Sequence, residues 1–261
     1  MLRIFLLAGV LPLLAQAQVP DTVARLDEQQ SGLAFLKGPD GALYPVEMTD
    51  ESNEDTLSFE SVVRRSSLEA CVTANFTGIV RRKAKTSSLP GRPKLFDTLD
   101  DLLATLPPDS VMQQLNPRID ESPFSERVEA ERHNVQIKRV WLFAIFREED
   151  NDFHLIIGNR ERPDEATALM NVEVSGLPDK ATASRSNYQT LLKVRTDFTR
   201  IFGDTQCRRT FRFREKGVPV EIKGTLFFDT HHAGTGTGSG NLHPASVWEI
   251  HPVTGIVWLT E

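Results

Sequence analysis

The stretch 135-VQIKRVWLFAIFREEDNDFHLIIGN-159 holds two apolar runs on either side of the acidic segment EEDND at 148–152. Long β-branched and aromatic runs around a short polar turn read as two strands of a hairpin. Further along, ALMNVEVSGLP (168–178) has the composition of a third strand. In SNYQTLLKVRTDFTRIFG (186–203), Tyr188, Leu191, Leu192, Arg195, Phe198 and Phe202 share one helical face. Ser186 or Asn187 can cap that helix, and Gly203 can close it. VPVEIKGTLFFD (218–229) and SVWEIHPVTGIVWL (246–259) supply two more strands. The order β-β-β-α-β-β predicts a mainly β, α+β chain: an OB-like five-stranded barrel. Other five-stranded α+β arrangements share this order. Trp141, Trp248 and Trp258 read as barrel core.

Upstream of this domain (131–261) the texture is less regular, and residues 18–130 read as an acidic N-terminal region. Its clearest element is a short helix near 98–106, where Leu99, Leu102, Leu103 and Leu106 form one apolar face. Thr98 and Asp101 approximate a capping box there, and Pro107–Pro108 stops the helix. LEACVTANFTGIVRR (68–82) is β-rich in composition, and ALYPVE (42–47) reads as a short edge strand. TSSLPGRP (86–93) reads as a linker, and PPDSVMQQLNPRIDESPF as a proline-punctuated connection.

At the start of the chain, Arg3 precedes the apolar run IFLLAGVLPLLA and the small-residue pattern AQA at 15–17. This is the pattern of an export signal over residues 1–17, cleaved after Ala17. The run is too short to span a bilayer, which takes roughly 20 residues, and no later segment is long and apolar enough. The expected destination is the periplasm or the medium. An isolated cysteine pair, Cys71 and Cys207, would there form one disulfide between the two halves; the other reading is a reactive thiol, with Arg208 and Arg209 beside Cys207 able to favour its thiolate. The formal charge is −6. Residues 18–135 hold 13 Lys/Arg against 20 Asp/Glu, and residues 136–261 hold 16 against 16. Such a chain is a poor non-specific nucleic-acid binder, because it would release few phosphate counterions.

Four of the six histidines fall in 224–259, and acid-x-His recurs three times: Asp152/His154, Asp229/His231 and Glu249/His251. On a strand such pairs project from one face, and in an OB barrel the 148–152 turn and the 230–245 loop share one side. Three chemical readings stay open. The pairs can be buried structural contacts that pin neighbouring strands. Asp152, His154, Asp229, His231, Glu249 and His251 can be ligands to a divalent metal, zinc or similar. Asp152, His154, Glu249 and His251 can be a catalytic acid–base set. No HExxH or comparable zinc spacing is present. His231, His232 and His243 otherwise read as exposed loop residues. AGTGTGSG (233–240) lacks the lysine and following helix of a phosphate loop and reads as a slack connection. CRRTFRFREKG (207–217) is a basic cluster with interleaved phenylalanines. Arg212 and Arg214 could hold a phosphate there, or the segment is a solvated strand with an apolar underside.

REEDNDFHLIIGN, MNVEVSGLP, GTLFFDTHH and WEIHPVTGI together resemble a family of small exported bacterial proteins of unknown function. In that family an acidic D-x-D-x-H-L hairpin precedes a closing (W)E(I/L)HPV strand. The resemblance covers about 135–258. It implies an exported OB-like domain with a polar cluster, and no reaction. Family members often carry a cysteine after the third strand, whereas LPDKATAS here has none. The expectation from sequence is therefore an exported binding or accessory protein for an unknown ligand or envelope component. The alternative is a secreted metal-dependent hydrolase of phosphodiesterase or nuclease type.

Overall fold

The structure is a computed structural model. It describes residues 73–202, 209–213, 216–232, 242–244 and 246–259, together with three strands before residue 51. The expected signal segment, Cys71, Cys207, Arg214 and the run 233–240 lie outside the described residues.

Five strands close a barrel: β5 (Asn134–Arg147), β6 (Phe153–Gly158), β7 (Leu169–Val174), β9 (Val218–Phe228) and β10 (Trp248–Trp258). The ring runs β5-β6-β7-β10-β9 and back to β5. The pairing of β7 with β10 is parallel, and the other contacts in the ring are antiparallel. With α4 (Arg185–Phe202) between the third and fourth strands of the ring, this is the OB arrangement. The 14 residues of β5 allow it to pair with β6 along one part and β9 along another, with register shifts on both sides. Such irregularities bend a strand around a small barrel.

Alternate residues fill the lumen. Ile137, Leu142, Phe153, Leu155, Val172 and Ile250 are all at most 1% exposed and belong to one core. Helix α4 closes one end of it. Phe198 packs 5.0 Å from Phe153 and 4.8 Å from Phe202, whose ring lies 5.1 Å from Trp258. Trp248 is buried with them, while Trp141 and Trp258 are half-buried against core clusters.

Both faces of β7 are buried, so something must cover the outside of the wall. That cover comes from residues 73–131. It contains α1 (Arg82–Lys85), β4 (Lys94–Phe96), α2 (Leu99–Leu103) and α3 (Asp109–Gln113). Strand β4 pairs parallel to β5, and Phe96, Leu99, Leu102 and Met112 join the barrel core. The capping box of α2 is present, with Asp101 N donating to Thr98 Oγ1 at 3.2 Å and Thr98 N donating to Asp101 Oδ2 at 3.0 Å. Two expectations are corrected here. The described part of 68–82 makes one bridge, Asn75 to Leu177, and then turns into α1 through Arg81, whose φ is 48°. Left-handed backbone ends an extended run. The proline-punctuated connection also forms a helical turn, α3, opened after Pro108, and its first residue Asp109 accepts from Ser246 Oγ and Val247 N.

Strand β8 (Arg209–Phe213) extends the sheet beyond the ring, between β5 and β3 (Leu43–Asp50). Beyond β3 lie β2 (Leu33–Lys37) and β1 (Val23–Ala24). Five of the six residues of ALYPVE fall in β3, which is paired on both sides, so the edge-strand reading is corrected. Among the described residues no helix is long and apolar enough to cross a membrane.

Candidate functional site

The hairpin turn after β5 is held in one conformation. Asn151 adopts φ 76° and is fully buried. Its Nδ2 donates to the carbonyl of Asn75 at 2.6 Å, its Oδ1 accepts from Arg147 Nη2 at 2.9 Å, and its own carbonyl accepts from Arg195 Nη1 at 2.7 Å. Arg195 comes from the buried face of α4 and also donates to Ser175 O at 3.2 Å. The turn therefore has a fixed exit, and Asp152 follows it fully buried, with Oδ1 accepting from Gly176 N at 2.5 Å. Gly176 is required: a Cβ there would sit 2.6 Å from Cα and 2.8 Å from N of Phe76, both backbone atoms of the covering segment.

Because Phe153, Leu155, Val172 and Ile250 point into the lumen, alternation sends Asp152, His154, Asn171, Glu173, Glu249 and His251 to the outer side of the wall. There the segment 73–131 buries them. Glu173 is directly opposite His154 in the β6–β7 register, and Glu249 is opposite Asn171 across β7–β10. Glu173 is the centre. Its Oε1 lies 2.6 Å from His154 Nε2, and its Oε2 lies 2.5 Å from His251 Nδ1. His154 Nε2 is also 3.2 Å from Glu148 Oε2, and His251 Nε2 is 3.2 Å from Asp152 Oδ2. Acid and imidazole thus alternate from partly exposed Glu148 to fully buried Asp152. Glu249 adds an oxygen 3.7 Å from His251 Nδ1 and accepts a long 3.5 Å bond from Asn171 Nδ2. Lys85, from α1, reaches within 3.8 Å of Asp150.

Electrostatics follow from this crowding. Burial works against the charged forms of His154 and His251, yet the flanking carboxylates hold both imidazoles protonated well above their usual range. Burial also opposes ionisation of Glu173, but its two histidines and Lys85 bring it well below the usual carboxylate range. Glu249 goes the other way: burial and the charge of Glu173 push it up to about 7. Burial and neighbouring Asp152 push Asp150 up to about 8. The acids outnumber their partners. Glu148, Asp150, Asp152, Glu173, Asp229 and Glu249 face Lys85, His154, His232 and His251. Both oxygens of Glu173, both ring nitrogens of His251, Nε2 of His154, Oδ2 of Asp152 and Oε2 of Glu249 are buried, and their close contacts are ion pairs within the cluster.

The structure therefore brings Asp152, His154, Glu249 and His251 together and adds Glu173, Lys85, Glu148 and Asp150 to them. Asp229 lies at the edge of the cluster, but the pairing with His231 is corrected. The His231 side chain is exposed and only its backbone N–H reaches Asp229 Oδ1, at 3.0 Å. The ring of His232 contacts Asp229 Oδ2 instead. Asp229 ends a strand, so the chain turns there and the alternation that would align 229 with 231 stops. His243 is exposed. Arg212 lies on β8, outside the ring whose wall carries the cluster. Donor atoms of Asp152, Glu173 and His251 all lie within 4.8 Å of one another, a set able to hold a metal ion.

Sequence reasoning missed Glu173 because its partners are on other strands. The available signal was Asn171-x-Glu173, two polar residues sharing one face of an otherwise apolar strand. No protein-family model matches the chain. No curated protein and no solved structure matches it significantly either.

Proposed function

We propose that the protein is an exported binding or envelope-accessory module, with the acid/histidine cluster internal to its fold, rather than a secreted hydrolase. The observation that carries this reading is the closure of the cluster. The side chains of Asp152 and His251 are 0% exposed, that of Glu173 1% and that of His154 5%. A phosphodiester could not reach these groups without displacing the covering segment. The described surface offers a depression elsewhere, of about 450 Å³, lined by Met112, Gln113, Gln114, Arg118, Phe228 and Thr230 among others. Mixed polar and apolar walls suit a small ligand or a peptide segment. The leader-like start of the chain and the resemblance to small exported proteins support an address outside the cytoplasm.

The test is turnover. Purified protein is incubated with single- and double-stranded nucleic acid and with an aryl phosphodiester, with added Zn²⁺, Mn²⁺ or Mg²⁺, and with chelator. No hydrolysis above buffer is expected in any arm. Chelator-sensitive turnover that His154→Gln abolishes would replace this reading with the hydrolase. Fractionation and N-terminal sequencing of the expressed chain check the address, with Gln18 expected as the first residue.

A further inference from the structure

We infer that Asp152, Glu173 and His251 form a closed site for one divalent transition-metal ion of the zinc class, set between the barrel wall and the segment that covers it.

The first support is position. The three residues come from the turn entering β6, from β7 and from β10, so one ion would tie together three segments of the wall. Their donor atoms lie within 4.8 Å of one another, so small side-chain shifts bring all three within reach of one ion. The second support is the state of those donors. Asp152 Oδ2, both oxygens of Glu173 and both ring nitrogens of His251 are buried, and their only close polar contacts are with other members of the cluster, His251 to Asp152 at 3.2 Å and to Glu173 at 2.5 Å, and Glu173 to His154 at 2.6 Å. Buried ionic groups are normally hydrogen-bonded, paired or bound to metal. Buried donors that converge from three segments, with no partner beyond their own cluster, match ligands around a common centre.

Charge is the third support. Six carboxyl groups crowd four basic groups here, a density of oxygen donors that suits a cation. The donor set then selects the ion. One imidazole and two carboxylates suit zinc and its first-row neighbours better than Ca²⁺ or Mg²⁺, which take oxygen ligands. Neighbouring groups fix the ligands in place. Gly176 N donates to the other oxygen of Asp152 at 2.5 Å, and Arg127 Nη2 donates to the carbonyl of His251 at 2.5 Å. Such supporting contacts are the usual company of metal ligands. The closed setting makes this an ion that stabilises the fold.

The inference deepens the reading of an internal, non-catalytic cluster, and metal content is measured without reference to turnover. The full chain is purified without a metal-affinity tag, and its metal is measured by mass spectrometry. It is then stripped with chelator and titrated with Zn²⁺ and with Co²⁺. One ion per chain is expected, with the visible absorption bands of Co²⁺ in a mixed nitrogen–oxygen site. Thermal midpoint should rise by about 5–10 °C at a hundredfold excess over Kd. Glu173→Gln should lose the bands and the shift, while the double variant His231→Gln/His232→Gln should keep both. If Glu173→Gln does not fold, X-ray absorption of the Co²⁺-loaded parent decides, through the presence of one imidazole among oxygen ligands. Folded parent protein that takes up neither ion, or a site that disappears with His231 and His232, overturns the inference. Bound metal together with turnover would leave this site standing and overturn the module; no metal and no turnover would do the reverse.

Discussion

Two buried ionic groups meet at the Phe227 ring, and they are built differently. In the first, Arg81 stacks over the ring at 4.6 Å and grips Glu131 through two contacts of 2.7 and 2.8 Å. Each oxygen of Glu131 has a second donor, Phe228 N or Val128 N, both at 2.8 Å. In the second, His251 lies 5.5 Å from the same ring, within a cluster that has more acids than bases. One cation meets one anion in the first group, and geometry satisfies the acid fully. In the second, six carboxyl groups share four basic partners. A fully bonded acid has finished its task by joining cover to barrel, whereas crowded carboxyl groups still have capacity for a ligand.

The sharpest way to break this contrast is to remove Glu131. Glu131→Ala strands the Arg81 guanidinium in a fully buried setting, and loss of one member of such a pair typically costs about 3–5 kcal/mol. Urea unfolding should show a loss of that size. A loss under about 1 kcal/mol would mean that Arg81 finds water or other partners and that the pair is not the joint described here.

Gly176→Ala attacks the cover directly. The added methyl would meet the backbone of Phe76, which cannot rotate away as a side chain would. Overpacking of this kind costs about 1–3 kcal/mol. Because Gly176 N also holds Asp152, hydrogen exchange near residues 73–77 and 150–154 should quicken together. Quickening at one end alone would separate the turn from the cover.

These contacts also mark how far the sequence could be read. The barrel strands and α4 were legible because each carries its own period, two or 3.6, and each buries one face against the same lumen. The cover was not. Phe76, Arg81, Lys85 and Arg127 sit in segments with little periodicity, and their conformation is set by tertiary contacts to Phe227, Phe228 and the 148–152 turn. For the same reason Asp152, His154, Glu249 and His251 could be picked out as strand-mates, while Glu173 could not. Its role depends on the register that places it opposite His154 and beside His251. Lys85 gave no sign at all among the basic residues of RRKAK.

Glu249→Gln tests the surplus itself. Its carboxyl is pushed up to about 7 by burial and by Glu173, and it makes only distant contacts. A neutral isostere removes a buried like charge at little cost in packing. Stability at neutral pH should therefore be unchanged or rise by up to about 1 kcal/mol. A large loss would show that Glu249 is a paired acid like Glu131.

The smallest effect belongs to Asp229 and His232, at the partly exposed rim of the cluster. Contact with Asp229 raises His232 to about 9; burial opposes the charge of Asp229, but His232 and Lys85 bring it down to about 2. Glu148, Glu173 and Glu249 also act on these two groups. The signs are opposite. The raised histidine contributes below its unfolded value near 6.5, and that contribution is lost as pH climbs through 9. The lowered aspartate contributes above its unfolded value near 4, and that contribution is lost as pH falls toward 2. Their coupling should therefore be full between about pH 4 and 6.5 and fade on both sides. With the His232 side chain 38% exposed, solvent screening keeps the coupling near 0.5–1 kcal/mol. A double-mutant cycle with Asp229→Asn and His232→Gln, repeated across pH, measures it. A coupling that stays flat from pH 3 to 10 would mean that the contact carries no ionic share and that the cluster ends one residue further inside.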